Sequence, residues 1–164
     1  MTIGHVSDER DLTASLSASI ADERDWLANL ANAAALLHAG LPDLNWAGFY
    51  LWRDDQLVLG PFIGRPACVR IARGRGVCGA AAGRRQTVLV SDVHAFPGHI
   101  ACDAASNSEI VVPLLLHRRL LGVLDLDSPR LGRFTEADRL VLEEFAAILV
   151  AGSDWPAWIG EDSP

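Results

Sequence analysis

Cys102 stands in the run His99-Ile100-Ala101-Cys102-Asp103-Ala104-Ala105-Ser106-Asn107-Ser108-Glu109. A thiol in a polar, small-residue loop, entered past His94, Pro97 and Gly98, has the setting of a nucleophile. A structural cysteine normally sits among apolar side chains. Cys78, between Val77 and Gly79 at the start of a predicted helix, reads as a small buried hydrophobe. Cys68, between Ala67 and Val69, reads the same way when taken alone.

The carboxylates that matter are Glu109, Asp125 and Asp127. In Leu124-Asp125-Leu126-Asp127 the two acids share one strand face and the leucines share the other. Two acids on one face repel unless a cation or a shared proton relieves them. On an exposed face they would simply be solvated. Gly122-Val123-Leu124 reads as buried, so a cavity is expected, and a ligand ammonium group suits it. Trp46, Gly48, Tyr50 and Trp52 also alternate on one strand face. Aromatics at that spacing are core residues first, but the polar handles of Trp46 and Tyr50 suit a pocket wall.

Other chemistry is excluded or weak. All 14 basic residues are arginine. Without lysine there is no Schiff base and no P-loop. Gly74-x-Gly76-x-x-Gly79 matches the dinucleotide fingerprint, but it lies mid-chain between hairpin-like strands and opens no βαβ series. It reads as a turn needing positive φ. Cys68, Cys78, Cys102, His94 and His99 fit zinc poorly, because no C-x2-C or H-x3-H pair exists to form a knuckle. No metal and no bound cofactor are expected. The net charge of −7 argues against a nucleic-acid partner. No apolar run resembles a signal peptide or is long enough to span a bilayer, so no membrane partner is expected and a cytoplasmic protein is. An odd set of three cysteines argues against a static disulfide framework there.

The elements that must position these groups follow from periodicity. The first 40 residues read as two helices, the second capped by Asp22 and stopped by Gly40 and Pro42. Residues 45–52 and 56–62 flank Arg53-Asp54-Asp55 as a hairpin. Residues 68–72 and 88–91 are short strands, and 80–84 a short helix. Residues 92–108 form a loop long enough to suggest function. Strands at 109–116 and 120–127 meet at His117-Arg118-Arg119, and Thr135 caps a closing helix, 136–150. The class is α+β: one domain of 164 residues with an antiparallel sheet and the terminal helices on one face. Residues 1–20 are assigned to an N-terminal helix or extension, 21–152 to the domain and 153–164 to a tail.

These residues together resemble the free methionine-(R)-sulfoxide reductases, which are single GAF domains. The matching runs are Asn45-Trp46-Ala47-Gly48-Phe49-Tyr50-Leu51, Leu57–Phe62, Ala67-Cys68-Val69-Arg70-Ile71, Gly74–Gly79, Gly98–Glu109 and Gly122–Pro129. Ordinary GAF domains lack this three-cysteine set. The resemblance implies a sheet of about six strands, a usual size, and reduction of the free amino acid. It implies Cys102 as attacking cysteine, Cys68 as its resolving partner and Cys78 as a third, supporting cysteine. It places Trp46, Tyr50, Glu109, Asp125 and Asp127 in the substrate pocket. It implies a thioredoxin-like donor, supplied by NADPH through thioredoxin reductase, and admits a homodimer. The rival readings are a ligand-sensing GAF module and a thiol switch without catalysis.

Overall fold

A computed structural model describes residues 9–100 and 102–161. The elements are α1 (Glu9–Ser19), α2 (Trp26–Gly40), β1 (Trp46–Arg53), β2 (Gln56–Ile63), β3 (Arg70–Ala72), α3 (Gly76–Arg84), β4 (Val88–Val90), a 3₁₀ turn (Val93–Ala95), β5 (Ser108–Leu116), β6 (Arg119–Ser128) and α4 (Glu136–Ala151). The strands form one antiparallel sheet in the order β3-β2-β1-β6-β5-β4. Among the described residues no helix is long and apolar enough to cross a membrane.

Strand alternation divides the interior in two. Ala47, Phe49 and Leu51 of β1, with Leu124 and Leu126 of β6, face α1, α2 and α4 in the larger core. Trp46, Tyr50 and Trp52 face the other side, where α3 supplies Val77, Cys78, Ala81 and Ala82. Period-2 patterning in the sequence therefore separates a helix-covered structural face from a face that holds the polar groups.

Several boundaries differ from expectation. Asp25, not Asp22, caps α2: its side chain accepts from Ala28 N at 2.8 Å. An N-cap must directly precede the first helical turn, and Trp26 opens the helix. Helix α3 starts four residues early, at Gly76, so Cys78 lies in its first turn. Gly74 and Gly76 do take positive φ, 76° and 58°. Strand β3 is only Arg70–Ala72, which leaves Cys68 in the connecting segment before it. Thr135 caps α4 as expected, in a capping box with Asp138.

Residues 153–161, read as a tail, are docked. Leu120 and Glu161 exchange two backbone hydrogen bonds of 2.9 Å, and Gly160 N donates to Trp52 O at 2.9 Å. Arg119 Nη2 donates to the carbonyls of Pro156, Ala157 and Ile159. Ile159 is fully buried in the larger core. A single anchoring side chain in a short stretch carries no periodicity, so sequence pattern missed it. Ile159→Ala is expected to cost roughly 2–5 kcal/mol, as other large-to-small core changes do. A urea midpoint within about 0.5 kcal/mol of wild type, the range of surface changes, would contradict the docking.

Candidate active site

The polar cluster is built by register across three strands. Trp46 on β1 lies opposite Asp127 on β6, and Asp127 lies opposite Glu109 on β5. One row along, Gly48 faces Asp125, which in turn faces Val111. All three acids thus point to the α3 side of the sheet. Glycine is required at 48, because a Cβ there would sit 2.4 Å from Phe62 Cβ and 2.8 Å from the Trp46 indole. Without it the Trp46 ring could not stack on Phe62, at 5.3 Å between centroids and 13° between planes.

Above the acids, Cys78 of α3 donates to Glu109 Oε1 at 3.8 Å. Donor atoms of Cys78, Glu109 and Asp125 lie within 4.8 Å of one another. Among the described residues these three, not the cysteine–histidine set considered from sequence, are close enough together to hold a metal ion. They line a small cavity, open at its mouth, together with Trp46, Tyr50, Asp127 and Cys102.

Cys68 and Cys102 are joined in a disulfide, with 5.7 Å between their Cα atoms. Cys102 lines the cavity and Cys68 packs against its aromatic wall. The polar handles of that wall are already used. Trp46 Nε1 donates to Arg65 O at 3.1 Å, and Tyr50 Oη donates to Cys68 O at 3.0 Å. Both aromatics therefore hold the segment that carries Cys68 and leave their ring faces for the cavity. The two rings lie 5.9 Å apart and nearly parallel.

The loop before β5 is held by backbone and side-chain contacts that sequence reasoning did not single out. Asn45 Nδ2 donates to Asp103 Oδ2 and to Ser106 Oγ, each at 3.0 Å. Val93 N donates to Asn107 O and Asn107 N to Ser128 O. Arg65, Arg75 and His99 also line the cavity. The available signal for Asn45 was its place directly before Trp46, where the chain enters β1.

Burial governs the electrostatics. Among the described residues, no ion pair engages Glu109, Asp125 or Asp127. Desolvation, then the neighbouring acids, pushes Glu109 and Asp127 well above the usual carboxylate range. Desolvation raises Asp125 to about 6, against the hydrogen bonding that favours its charge. The same burial raises the Cys78 thiol and the Tyr50 phenol. Burial thus favours protons on the cluster, most strongly on Glu109 and Asp127, with Asp125 the most readily ionised of the three.

The linkage sign follows. Asp125 has a folded pKa above its unfolded one, so its contribution is complete below about 4 and is lost as pH rises through about 6. The ligand-free protein is expected to lose thermal stability across that window, by on the order of 3 kcal/mol from this group. Asp125→Asn should flatten the slope. Unchanged slopes in melting scans from pH 4 to pH 8 would contradict the assignment.

The comparisons with known proteins agree with this geometry. The GAF domain model matches residues 12–151. The free methionine-R-sulfoxide reductase of Escherichia coli is 57% identical over 139 residues, covering 85% of this chain and 84% of that protein. The X-ray structure of free methionine-R-sulfoxide reductase from Neisseria meningitidis, in complex with its substrate, superposes with a TM-score of 0.86 at 47% identity, covering 93% of this chain and 92% of that one. The reduced form of the Staphylococcus aureus enzyme superposes with a TM-score of 0.87 at 45% identity, covering 93% and 99%. On sequence and fold together, the chain belongs to the free methionine-R-sulfoxide reductases, a family of GAF domains.

Proposed function

We propose that this protein reduces free L-methionine-(R)-sulfoxide to L-methionine, with Cys102 as nucleophile and Cys68 as resolving cysteine. The observation that carries this reading is the Cys68–Cys102 disulfide beside a cavity that has an aromatic wall and buried acids. The substrate ammonium pairs with Asp125 and donates to carboxyl oxygens of Glu109 and Asp127. The S-methyl group lies against the Trp46 and Tyr50 ring faces. Arg65 and Arg75 line the same cavity as Cys102, and positive charge there favours its thiolate.

The thiolate attacks the sulfoxide sulfur. The departing oxygen needs a proton, and a carboxyl held protonated at neutral pH is suited to give it. Burial and the neighbouring acids shift Glu109 and Asp127 toward that state. The oxygen passes to Cys102 as a sulfenic acid and methionine leaves. The Cys68 thiol condenses with the sulfenic acid, forming the disulfide and releasing water. A thioredoxin-like dithiol then exchanges with the disulfide and leaves oxidised, restoring both thiols. NADPH supplies that donor through thioredoxin reductase, in the cytoplasm. Cys78 stays a buried thiol that donates to Glu109 and orients its carboxyl group, while burial and the neighbouring acids raise the Glu109 pKa against that hydrogen bond.

The ligand-sensing and thiol-switch readings lack a need for this arrangement. A sensor requires no resolving cysteine, and a peroxide switch requires no acid cluster shaped for a cation. The test is NADPH oxidation coupled through thioredoxin and its reductase, with the two epimers of free methionine sulfoxide supplied separately. Turnover of the R epimer, lost by at least about a thousandfold in Cys102→Ser as for other essential nucleophiles, is the expected result. Full activity in Cys102→Ser, or no turnover of either epimer, would overturn the proposal.

A further inference from the structure

Cys78 has no part in the disulfide, yet it is 4% exposed and its thiol points at two buried carboxyl groups. The donor atoms of Cys78, Glu109 and Asp125 lie within 4.8 Å of one another. One sulfur and two oxygens on a rigid helix turn and two adjacent strands make a three-ligand set. A second observation points the same way. Asp125 Oδ1 is buried, in a residue only 5% exposed, and has no hydrogen-bond partner. A buried acceptor without a partner carries its full desolvation cost, so it marks a place where a donor or a cation belongs.

The spacing suits a particular class of cation. Metal–sulfur and metal–oxygen bonds of about 2.3 and 2.1 Å at a tetrahedral angle place the two ligand atoms roughly 3.5 Å apart. The Cys78 Sγ to Glu109 Oε1 distance is already 3.8 Å. Magnesium and calcium call for six or more oxygens, which this cluster does not supply. A thiolate ligand selects a borderline or soft ion. The fourth position opens into the cavity that Cys78, Glu109 and Asp125 line.

We propose that Cys78, Glu109 and Asp125 form a site for a thiophilic divalent cation of the zinc class, which occupies the acid pocket in competition with the substrate's ammonium group. Binding displaces the Cys78 thiol proton, and the proton that Glu109 holds, to solvent and leaves the Cys68–Cys102 couple untouched. The cation acts as a reversible inhibitor and has no part in the sulfoxide chemistry. The competition, though not the binding itself, rests on the proposed reading of this pocket as the ammonium site.

The disulfide form of the full chain gives a clean test, because Cys78 is then its one remaining thiol. Cobalt(II) titrated into that form is expected to give a sulfur-to-cobalt charge-transfer band saturating at one equivalent, and zinc(II) should abolish it. Cys78→Ser should remove the band. Asp125→Asn and Glu109→Gln should each weaken the apparent Kd by about tenfold or more, as loss of a ligand does. Free L-methionine should raise the apparent Kd in proportion to its concentration. No band in the wild-type disulfide form, or a band with equal affinity in both carboxylate variants, would overturn the site. A band that responds to the carboxylate variants but not to methionine would uphold the cation site and contradict the ammonium reading of the pocket.

Discussion

The buried carboxyl groups of Glu109 and Asp125, the half-buried one of Asp127 and the Cys78 thiol share one patch of sheet, and among the described residues no ion pair engages them. Much of the rest of the structure serves that arrangement. A buried acid without a partner stays protonated, and several together settle their charge collectively. The result is a cluster whose acids all hold protons more tightly than usual, Asp125 least so. In the proposed function a free amino acid brings the ammonium that the patch lacks, and a sulfoxide oxygen consumes a proton that the patch keeps. Recognition and acid catalysis would then draw on the same physical cause, the desolvation of the cluster.

The fold supplies that desolvation by dividing labour between the two sheet faces. The face under α1, α2 and α4 is largely apolar and holds the larger core. The opposite face is roofed by the short helix α3, which brings Cys78 onto Glu109. The pocket aromatics are fixed through their own polar atoms to the segment that holds Cys68. Asn45 fixes the Asp103–Ser106 end of the loop that holds Cys102. Each half of the disulfide is thus tied to β1 or to the residue that precedes it, so the redox pair and the pocket wall share one support.

Much of this was legible in the residues. Alternation in β1 and in Leu124-Asp125-Leu126-Asp127 assigns the acids and the aromatics to faces, because strand periodicity is local. The hairpin turns and the Thr135 cap were also readable from short-range chemistry. What sequence could not show was non-local. Placing Cys78 against Glu109 needs both the docking of α3 and the β4–β5–β6 register. The early start of α3 was hidden by its glycines, which weaken any helical pattern. Docking of residues 153–161 depends on Arg119 reaching three carbonyls and on one buried isoleucine. The use of Trp46 and Tyr50 as backbone anchors was invisible for the same reason, since their acceptors are main-chain carbonyls of no particular residue type.

The central claim is that the buried acids select the free amino acid by its ammonium group. The most direct measurement compares kcat/KM for free L-methionine-(R)-sulfoxide with that for its N-acetyl derivative, in which the positive charge is removed and the sulfoxide is unchanged. A neutral amide leaves the ionised Asp125 unpaired in its buried site. The account predicts a loss of about two to four orders of magnitude, the range for leaving a buried charge without its partner. Comparable kcat/KM values for the two compounds would contradict it.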